Sequence, residues 1–336
     1  MDKKLKLKES IYILKESEEV YSTICTSTRR IKRFRVDDLV KEIIKELRTP
    51  KKENSLFNKL KKKYPTEDIS KCIESLEEVG ILRKYGDSSF NEKYLKQILF
   101  IDELTNSWDE TLKLQERIEN SKIAVFGVGG IGTWIVNGLS QIGVGEIRIV
   151  DPDKINKSNL NRQLFFNEED VGKYKVDVIK SKMQDTKIIP YKKFISKSQN
   201  LDDIIVGTNF LINCADKPSV EKTSKILNDY AVKYNIPYCI SGGYNLHLGM
   251  VGPIIIPGKT ATFNDFLKYQ KKNDSFSKLE KIKDIEQTGN LGPIAGAIAN
   301  IQVMEIFKYL IGKGQTNLNK FAEIDFMNFK INWIDF

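Results

Sequence analysis

Apolar and β-branched residues alternate with polar ones through Leu5–Leu14, Val20–Thr26 and Ile31–Val36, the period of half-buried strands parted by polar turns. The period then changes. From Asp37 to about Arg48, Leu39, Val40, Ile43, Ile44 and Leu47 recur at helical spacing, and Thr49-Pro50-Lys51-Lys52 ends the run. A second helix is expected over about Ser55–Lys63. A third is expected over about Glu67–Val79, with Thr66 as N-cap and Gly80 as stop, before a short strand at Ile81–Tyr85. Strands, three helices and a small wing make residues 1–90 a winged-helix-like domain. After a connecting segment, about Asn91–Asn120, strand and helix patterns alternate: Ile123–Phe126, Ile131–Ile142, Glu146–Val150, Val171–Met183, Asp203–Asn213, Val220–Tyr234 and Pro237–Ser241. That order predicts an α/β fold over residues 91–336, a doubly wound and mainly parallel sheet of Rossmann-like type. Ile294–Leu310 reads as a buried helix whose small residues, Ala295, Gly296, Ala297 and Ala299, call for close packing on another helix or a subunit partner.

The strand at Ile123–Phe126 ends in Gly127-Val128-Gly129-Gly130-Ile131-Gly132 and a helix follows. Glycines here let the backbone turn tightly and approach a phosphate, and the helix then points free N–H groups at that charge. Alone the pattern also fits a dehydrogenase. So does Asp151, an acidic group about 20 residues on that can accept from ribose hydroxyls.

Composition narrows the classes. The hydrophobic fraction of 40% is ordinary for a globular protein. No unbroken run of about 18 apolar residues predicts a membrane span, and the charged start MDKKLKLKES lacks the apolar core of a secretory signal. A cytoplasmic location is the expectation. The cysteines, Cys25, Cys72, Cys214 and Cys239, form no C-x-x-C pair, and the single histidine, His247, excludes a metal site needing two. Of the net charge of +9, most lies in residues 1–100, which hold 24 Lys/Arg against 17 Asp/Glu. That excess suits nucleic acid or an acidic peptide.

The stretch after the second strand is more specific. It reads Asp151-Pro152-Asp153, then Ser158-Asn159-Leu160-Asn161-Arg162-Gln163, then Gly172-Lys173-Tyr174-Lys175, and later Cys214-Ala215-Asp216. In this order and spacing the elements resemble those of the E1-like adenylyltransferases, the family of ThiF, MoeB, HesA and the ubiquitin-activating enzymes, over about residues 93–330. The resemblance implies a site for ATP, or another nucleoside triphosphate, with Mg²⁺. Gly127, Gly129, Gly130, Gly132, Asp151, Asp153, Asn159, Arg162, Gln163 and Lys175 would bind the nucleotide. Arg162 and Lys175 would neutralise charge building on the phosphate as a carboxylate attacks it. Asp151 would hold the ribose, and Asp216 would help hold Mg²⁺, which prefers hard oxygen ligands.

Three departures qualify this. The family's R-Y-x-R-Q motif, whose arginine reaches the partner subunit's nucleotide, reads Lys93-Tyr94-Leu95-Lys96-Gln97 here, so Lys96 would act without the guanidinium fork. Pro257-Gly258-Lys259-Thr260 is followed by Thr262 and Asp265 where zinc-binding members carry thiols, so no zinc is expected. No cysteine lies between Phe263 and Phe336, and the strand-end position of Cys214 favours packing, so adenylation without an enzyme thioester is expected.

Residues 1–90 resemble the PqqD-like peptide-recognition domain of enzymes that modify ribosomally made peptides, through Thr28-Arg29-Arg30-Ile31-Lys32-Arg33-Phe34, the helix from Val36-Asp37-Asp38 and the helix ending Val79-Gly80-Ile81-Leu82. The resemblance implies a leader peptide added as a strand between the third strand and third helix. Arg29, Arg30, Lys32 and Arg33 would favour an acidic leader. The acidic third helix, with Glu67, Asp68, Glu74, Glu77 and Glu78, would repel the phosphates of DNA. The combined layout is similar to the peptide nucleotidyltransferases of microcin C biosynthesis and to pantocin-type enzymes. It implies an ATP-dependent peptide adenylyltransferase, homodimeric, with other modification enzymes as possible partners. The alternatives are a non-catalytic scaffold delivering a leader peptide to a cyclodehydratase, and activation of a sulfur-carrier protein.

Overall fold

The computed structural model describes residues 3–25, 28–86, 90–273, 279–280, 282–283 and 289–336. It divides into two compact units, Met1–Glu116 and Arg117–Phe336.

In the first unit the strands are β1 (Lys4–Leu7), β2 (Ile11–Lys15), β3 (Val20–Cys25) and β4 (Arg30–Arg35). They are followed by α1 (Asp38–Glu46), β5 (Lys51–Lys52), α2 (Glu53–Leu60), α3 (Thr66–Glu78) and β6 (Leu82–Tyr85). The expected Leu5–Leu14 strand is two strands. A turn at Glu9-Ser10 sends β1 into a sheet of order β5-β1-β6 and β2 into one of order β2-β3-β4. Thr26, the expected end of the second strand, lies outside the described residues. Asp37 caps α1 by accepting from the Val40 N–H at 2.8 Å. Thr66 does not cap α3. Pro65, extended at φ −60°, ψ 142°, takes the cap position, and Thr66 is already helical. Gly80, at φ +79°, ends that helix as expected. The helices and β1 enclose Leu5, Ile43, Leu47, Leu56, Leu60, Ile69 and Ile73.

This unit runs past residue 90. Residues of α4 (Leu95–Asp102) and the turn before α5 (Trp108–Glu119) hold it together. Buried Arg83 donates to the Asp102 carboxylate at 3.1 Å and to the Thr105 and Asn106 carbonyls at 2.8 and 3.1 Å. The Trp108 ring lies 4.6 Å from that of Tyr85.

The second unit begins with β7 (Lys122–Phe126), α6 (Gly130–Gln141), β8 (Glu146–Val150), α7 (Lys175–Lys182) and β9 (Lys187–Tyr191). Next come α8 (Asp202–Ile205), β10 (Phe210–Asn213), α9 (Val220–Tyr234), β11 (Tyr238–Ile240), β12 (Tyr244–Asn245), β13 (Leu248–Val251) and β14 (Ile254–Ile255). It closes with α10 (Phe263–Asn273), α11 (Gly292–Ile311), β15 (Lys320–Asp325) and β16 (Lys330–Asp335). The main sheet has the order β14-β11-β10-β7-β8-β9, parallel except for β14. From β7 the chain steps outward to β8 and β9, then crosses to β10 on the other side. The order reverses between β7 and β10, and a ligand crevice forms outside the strand ends at such a point. A smaller antiparallel sheet, β12-β13-β15-β16, packs against α11.

Two expected elements are shorter than the pattern suggested. Gly172, at φ +87°, delays the helix expected from Val171 until Lys175. Asp203–Asn213 separates into α8 and β10 at Gly207, φ +80°. Helix α11 is long and apolar enough to cross a bilayer by length and composition, but 67% of that stretch is buried inside the protein. Its small residues meet α6: a Cβ on Gly296 would lie 3.3 Å from the Trp134 ring, and one on Gly138 would lie 3.0 Å from Val303. The helix partner they call for is within the chain.

Candidate active site

Strand register brings the site together. Phe126 pairs with Val150 and with Asn213, and Asn213 pairs with Ile240. The next residues, Gly127, Asp151, Cys214 and Ser241, therefore stand in a row at the carboxyl ends of four parallel strands. A cavity of about 340 Å³ opens there, within the range of small-molecule sites.

The glycine turn forms one wall. Gly127 has φ +89°, and a Cβ on it would lie 2.7 Å from the Ala215 N and Cys214 C. A Cβ on Gly132 would lie 2.0 Å from the Gly127 carbonyl oxygen, so only glycine lets α6 start this close to β7. Gly129 is the N-cap of α6 and no side chain caps that end. Gly129, Gly130 and Ile131 line the cavity, and the uncapped N-terminus is suited to an anion.

Asp151 braces this wall. Its Oδ2 accepts from the Val128 N–H at 2.8 Å and its Oδ1 from the Asp153 N–H at 2.8 Å. Burial pushes its carboxyl above the usual range, opposed by Lys175 and by these two N–H groups. Each oxygen keeps a further lone pair with which a ribose hydroxyl could be held.

Lys175, the first residue of α7, is buried at 5% exposure. Its Nζ lies 3.2 Å from Asp153 Oδ2 and 3.7 Å from Asp151 Oδ1. Asp153 also takes Lys217 Nζ at 3.2 Å. Burial pushes the Asp153 carboxyl up, but Lys175 and Lys217 outweigh it and hold it below the usual carboxylate range.

Arg162 lines the same cavity, half-buried. Its Nη1 donates to the Ser158 carbonyl at 2.6 Å and to Asn161 Oδ1 at 3.1 Å, and its carbonyl accepts from the Trp134 indole at 3.2 Å. Asn159 is buried, and its Oδ1 accepts from the Asn156 N–H at 3.0 Å, shaping the turn that carries Arg162. Gln163 is 5% exposed, and its Oε1 has no hydrogen-bond partner within the protein. An unsatisfied buried oxygen on a cavity wall is costly unless a ligand or water meets it. Asp216 is exposed and lines the cavity on the loop after β10.

These residues fit a nucleotide: a glycine-rich turn, an uncapped helix N-terminus and the cations Arg162 and Lys175 surround one space. Mg²⁺ would have Asp216 as its protein ligand. Among the described residues no group of three or more His, Cys, Asp or Glu could enclose a metal. That arrangement suits an ion held mainly by phosphate and water oxygens, as Mg²⁺ usually is. Cys214 lines the cavity too, but burial pushes its thiol up to about 12, so it is held as the un-nucleophilic acid.

Of the expected site residues, Gly132 and Lys96 are not on this cavity: Gly132 acts behind the wall, where it lets α6 start against Gly127. Lys96 is exposed on α4, in the first unit. Thr262 and Asp265 cap α10 reciprocally: the Thr262 N–H and hydroxyl donate to Asp265 Oδ2 at 2.9 and 2.6 Å, and the Asp265 N–H donates to Thr262 Oγ1 at 3.3 Å. Sequence reasoning missed Lys217, Lys193, Phe194 and Tyr244 on the cavity wall. Lys217 directly follows Asp216, which was the available signal. Lys193 and Phe194 come from a loop with no pattern of its own, and Tyr244 from β12, a two-residue strand too short to show one.

The first unit has its own groove, about 680 Å³, lined by Arg30 and Lys32 of β4 on one side and Glu74, Glu77 and Glu78 of α3 on the other. Lys32 Nζ spans it to the Val79 carbonyl at 2.9 Å. Strand alternation splits the expected basic cluster. Arg33 points away from the groove and pairs with Glu16 at 2.9 Å.

Relatives share this architecture. Adenylyltransferase and sulfurtransferase UBA4 of Saccharomyces cerevisiae is 28% identical over 204 residues, 59% of this chain and 43% of that protein. The SAMP-activating enzyme E1 of Haloferax volcanii is 26% identical over 205 residues, 60% of this chain and 71% of that protein. The match thus spans less than half the length of the Saccharomyces cerevisiae UBA4 proteins. Among solved structures, E. coli MccB with ATP superposes with a TM-score of 0.71 at 22% identity, covering 99% of this chain and 96% of that one. PaaA superposes with a TM-score of 0.72 at 22% identity, covering 98% and 99%. Both share the fold along nearly their whole length. The ThiF family matches residues 94–335, which include the glycine turn, Asp151, Arg162, Lys175 and Asp216. The chain therefore belongs to the ThiF family, with the fold of the E1-like adenylyltransferases.

Proposed function

We propose that this protein is an ATP-dependent adenylyltransferase that activates a carboxylate of a peptide. The observation that carries the reading is the convergence of Arg162, Lys175 and the uncapped α6 N-terminus on one cavity. Bound ATP supplies an α-phosphate for attack by the carboxylate, with pyrophosphate leaving. Lys175 holds its charge in place through Asp151 and Asp153, and so needs little reorganisation as negative charge grows on the phosphate. Arg162 adds a second cation from a turn fixed by Trp134 and Asn159. Asp151 keeps the glycine turn in register and faces the ribose. Asp216 would hold Mg²⁺, and Gln163 orients the phosphates through its amide N–H groups, leaving its unpaired carbonyl to accept from a nucleotide hydroxyl or a water.

Support for a peptide substrate comes from the first unit. MccB, described as a microcin C7 biosynthetic enzyme, has been solved with MccA, and its likeness to this chain includes residues before the ThiF match. The groove between β4 and α3 would take a leader peptide as a strand antiparallel or parallel to β4, the edge of the β2-β3-β4 sheet. Its walls, basic on β4 and acidic on α3, favour a leader of alternating charge over a purely acidic one. A homodimer is part of this reading, and Phe329, Ile331 and Trp333, exposed on the β15–β16 hairpin, offer it a face. Lys96 would then act on the partner's nucleotide.

The likeness to UBA4 and the SAMP-activating enzyme favours a second reading, activation of a small carrier protein. ATP–pyrophosphate exchange separates the two. Exchange stimulated by a peptide encoded beside the gene supports the first, and exchange stimulated only by a carrier protein supports the second. No exchange with either, while the peptide still binds, refutes an enzymatic role.

A further inference from the structure

We propose that Lys217 is a further nucleotide-binding residue, one that holds the phosphates beyond the α-position and accompanies pyrophosphate as it leaves. The inference rests on the nucleotide reading above. The loop that carries Lys217 is anchored at its base. Asn213 Oδ1 accepts from the Ala215 N–H at 3.1 Å, while its Nδ2 donates to Thr223 Oγ1 and Ser224 Oγ at 3.0 and 2.8 Å. The Thr223 hydroxyl in turn donates to the Ala215 carbonyl at 2.8 Å. From that fixed base Asp216 and Lys217 extend to the cavity as consecutive exposed residues.

Lys217 Nζ and Lys175 Nζ each lie 3.2 Å from the same oxygen, Oδ2 of Asp153. The two ammonium groups are therefore close neighbours with very different freedom. The Lys175 side chain is 7% exposed and has two carboxylates, Asp151 and Asp153, around it. The Lys217 side chain is 70% exposed and has one. An exposed pair of this kind is weak. A charge-assisted bond to a phosphate oxygen is among the strong ones. Lys217 can thus exchange Asp153 for a polyphosphate at little cost, while Asp153 keeps Lys175. The buried lysine stays with the reacting phosphate, and the exposed one can follow the departing anion toward the cavity mouth.

The test is calorimetric titration of the full chain with Mg-ATP and with AMP, which reads binding without turnover. Lys217→Ala should weaken ATP binding about tenfold, equivalent to about 1.4 kcal/mol, and leave AMP binding within about twofold. Lys217→Arg should keep ATP within about threefold of the native value, which also shows that the loop folds. Unchanged ATP binding in Lys217→Ala, or equal losses for ATP and AMP, overturns the proposal. Failure of the native protein to bind ATP at all would instead overturn the nucleotide reading on which it rests.

Discussion

Replacing Lys175 by methionine removes one ammonium and keeps most of the side-chain volume. The consequences differ for its two partners. Asp153 is one-third exposed and retains Lys217 at 3.2 Å. Asp151 has a side chain only 8% exposed, and Lys175 is its nearest cation. Removing one partner of a buried pair costs about 3–5 kcal/mol. Asp151 would keep the Val128 and Asp153 N–H groups and could take up a proton, so about 2–3 kcal/mol is the expected loss. For a unit of this size that lowers the melting temperature by about 4–12 °C. The pH dependence gives the sharper check. Burial already holds the Asp151 carboxyl above its usual range, and without Lys175 it rises further. The folded state then binds that proton more tightly than the unfolded state. Stability contributed by the site falls as pH rises from the ordinary Asp value, about 3.9, through the raised folded value. The deficit of Lys175→Met should therefore be largest near pH 7 and shrink toward pH 5, and adding Asp151→Asn should remove most of it. Thermal denaturation of the full chain at the two pH values measures this. A melting temperature within about 2 °C of native at pH 7, or a deficit equal at both pH values, would refute the reasoning.

Arg162→Ala should lower turnover about 10²–10³-fold, the usual effect of losing one preorganised donor at developing charge. Its melting temperature should stay near native, since the guanidinium bonds only its own turn; turnover equal to native would exclude Arg162 from the site. Gly127→Ala should cost stability and abolish nucleotide binding, because the new Cβ meets Ala215 and Cys214 backbone at 2.7 Å in a positive-φ conformation; normal ATP binding by calorimetry would contradict the geometry of the turn. In the first unit, hydrogen bonds from Lys51 and then Lys59 lower the Glu46 carboxyl to about 2. The stability it contributes is present above its ordinary value of about 4.5 and fades as pH falls toward 2. Acid titrations of native protein and Glu46→Gln should therefore converge near pH 2 and diverge above pH 4.5, and parallel curves would count against the ion pairs.

Much of the second unit was legible because local and global signals coincide there. β7 is apolar after Lys122 and runs into glycines that only a tight turn needs, while Asp151, Arg162, Lys175 and Asp216 follow and line one cavity. β9 was not legible. It is an edge strand, and edge strands tolerate the Lys187 and Pro190 that break its pattern. The β15–β16 hairpin was missed for a related reason: β16 is a sheet edge with little burial, so its residues do not alternate cleanly. In the first unit, the split of Leu5–Leu14 depends on which strands lie alongside, a long-range property that period-2 alternation does not carry. The extension of that unit to Glu116 depends on the buried Arg83–Asp102 pair, which joins residues 19 apart in sequence. The basic run Arg29–Arg33 looked like one surface, yet alternation along β4 sends Lys32 into the groove and Arg33 to Glu16.

The most direct test of carboxylate activation follows an oxygen atom. When an acyl-adenylate is attacked at its carbonyl carbon, one oxygen of the original carboxylate leaves with the AMP. A substrate peptide carrying ¹⁸O in its carboxylates, incubated with the native protein and Mg-ATP, should yield AMP with one ¹⁸O, detected by mass spectrometry. Label appearing in inorganic phosphate, or AMP formed without label, would contradict the adenylation proposed for this site.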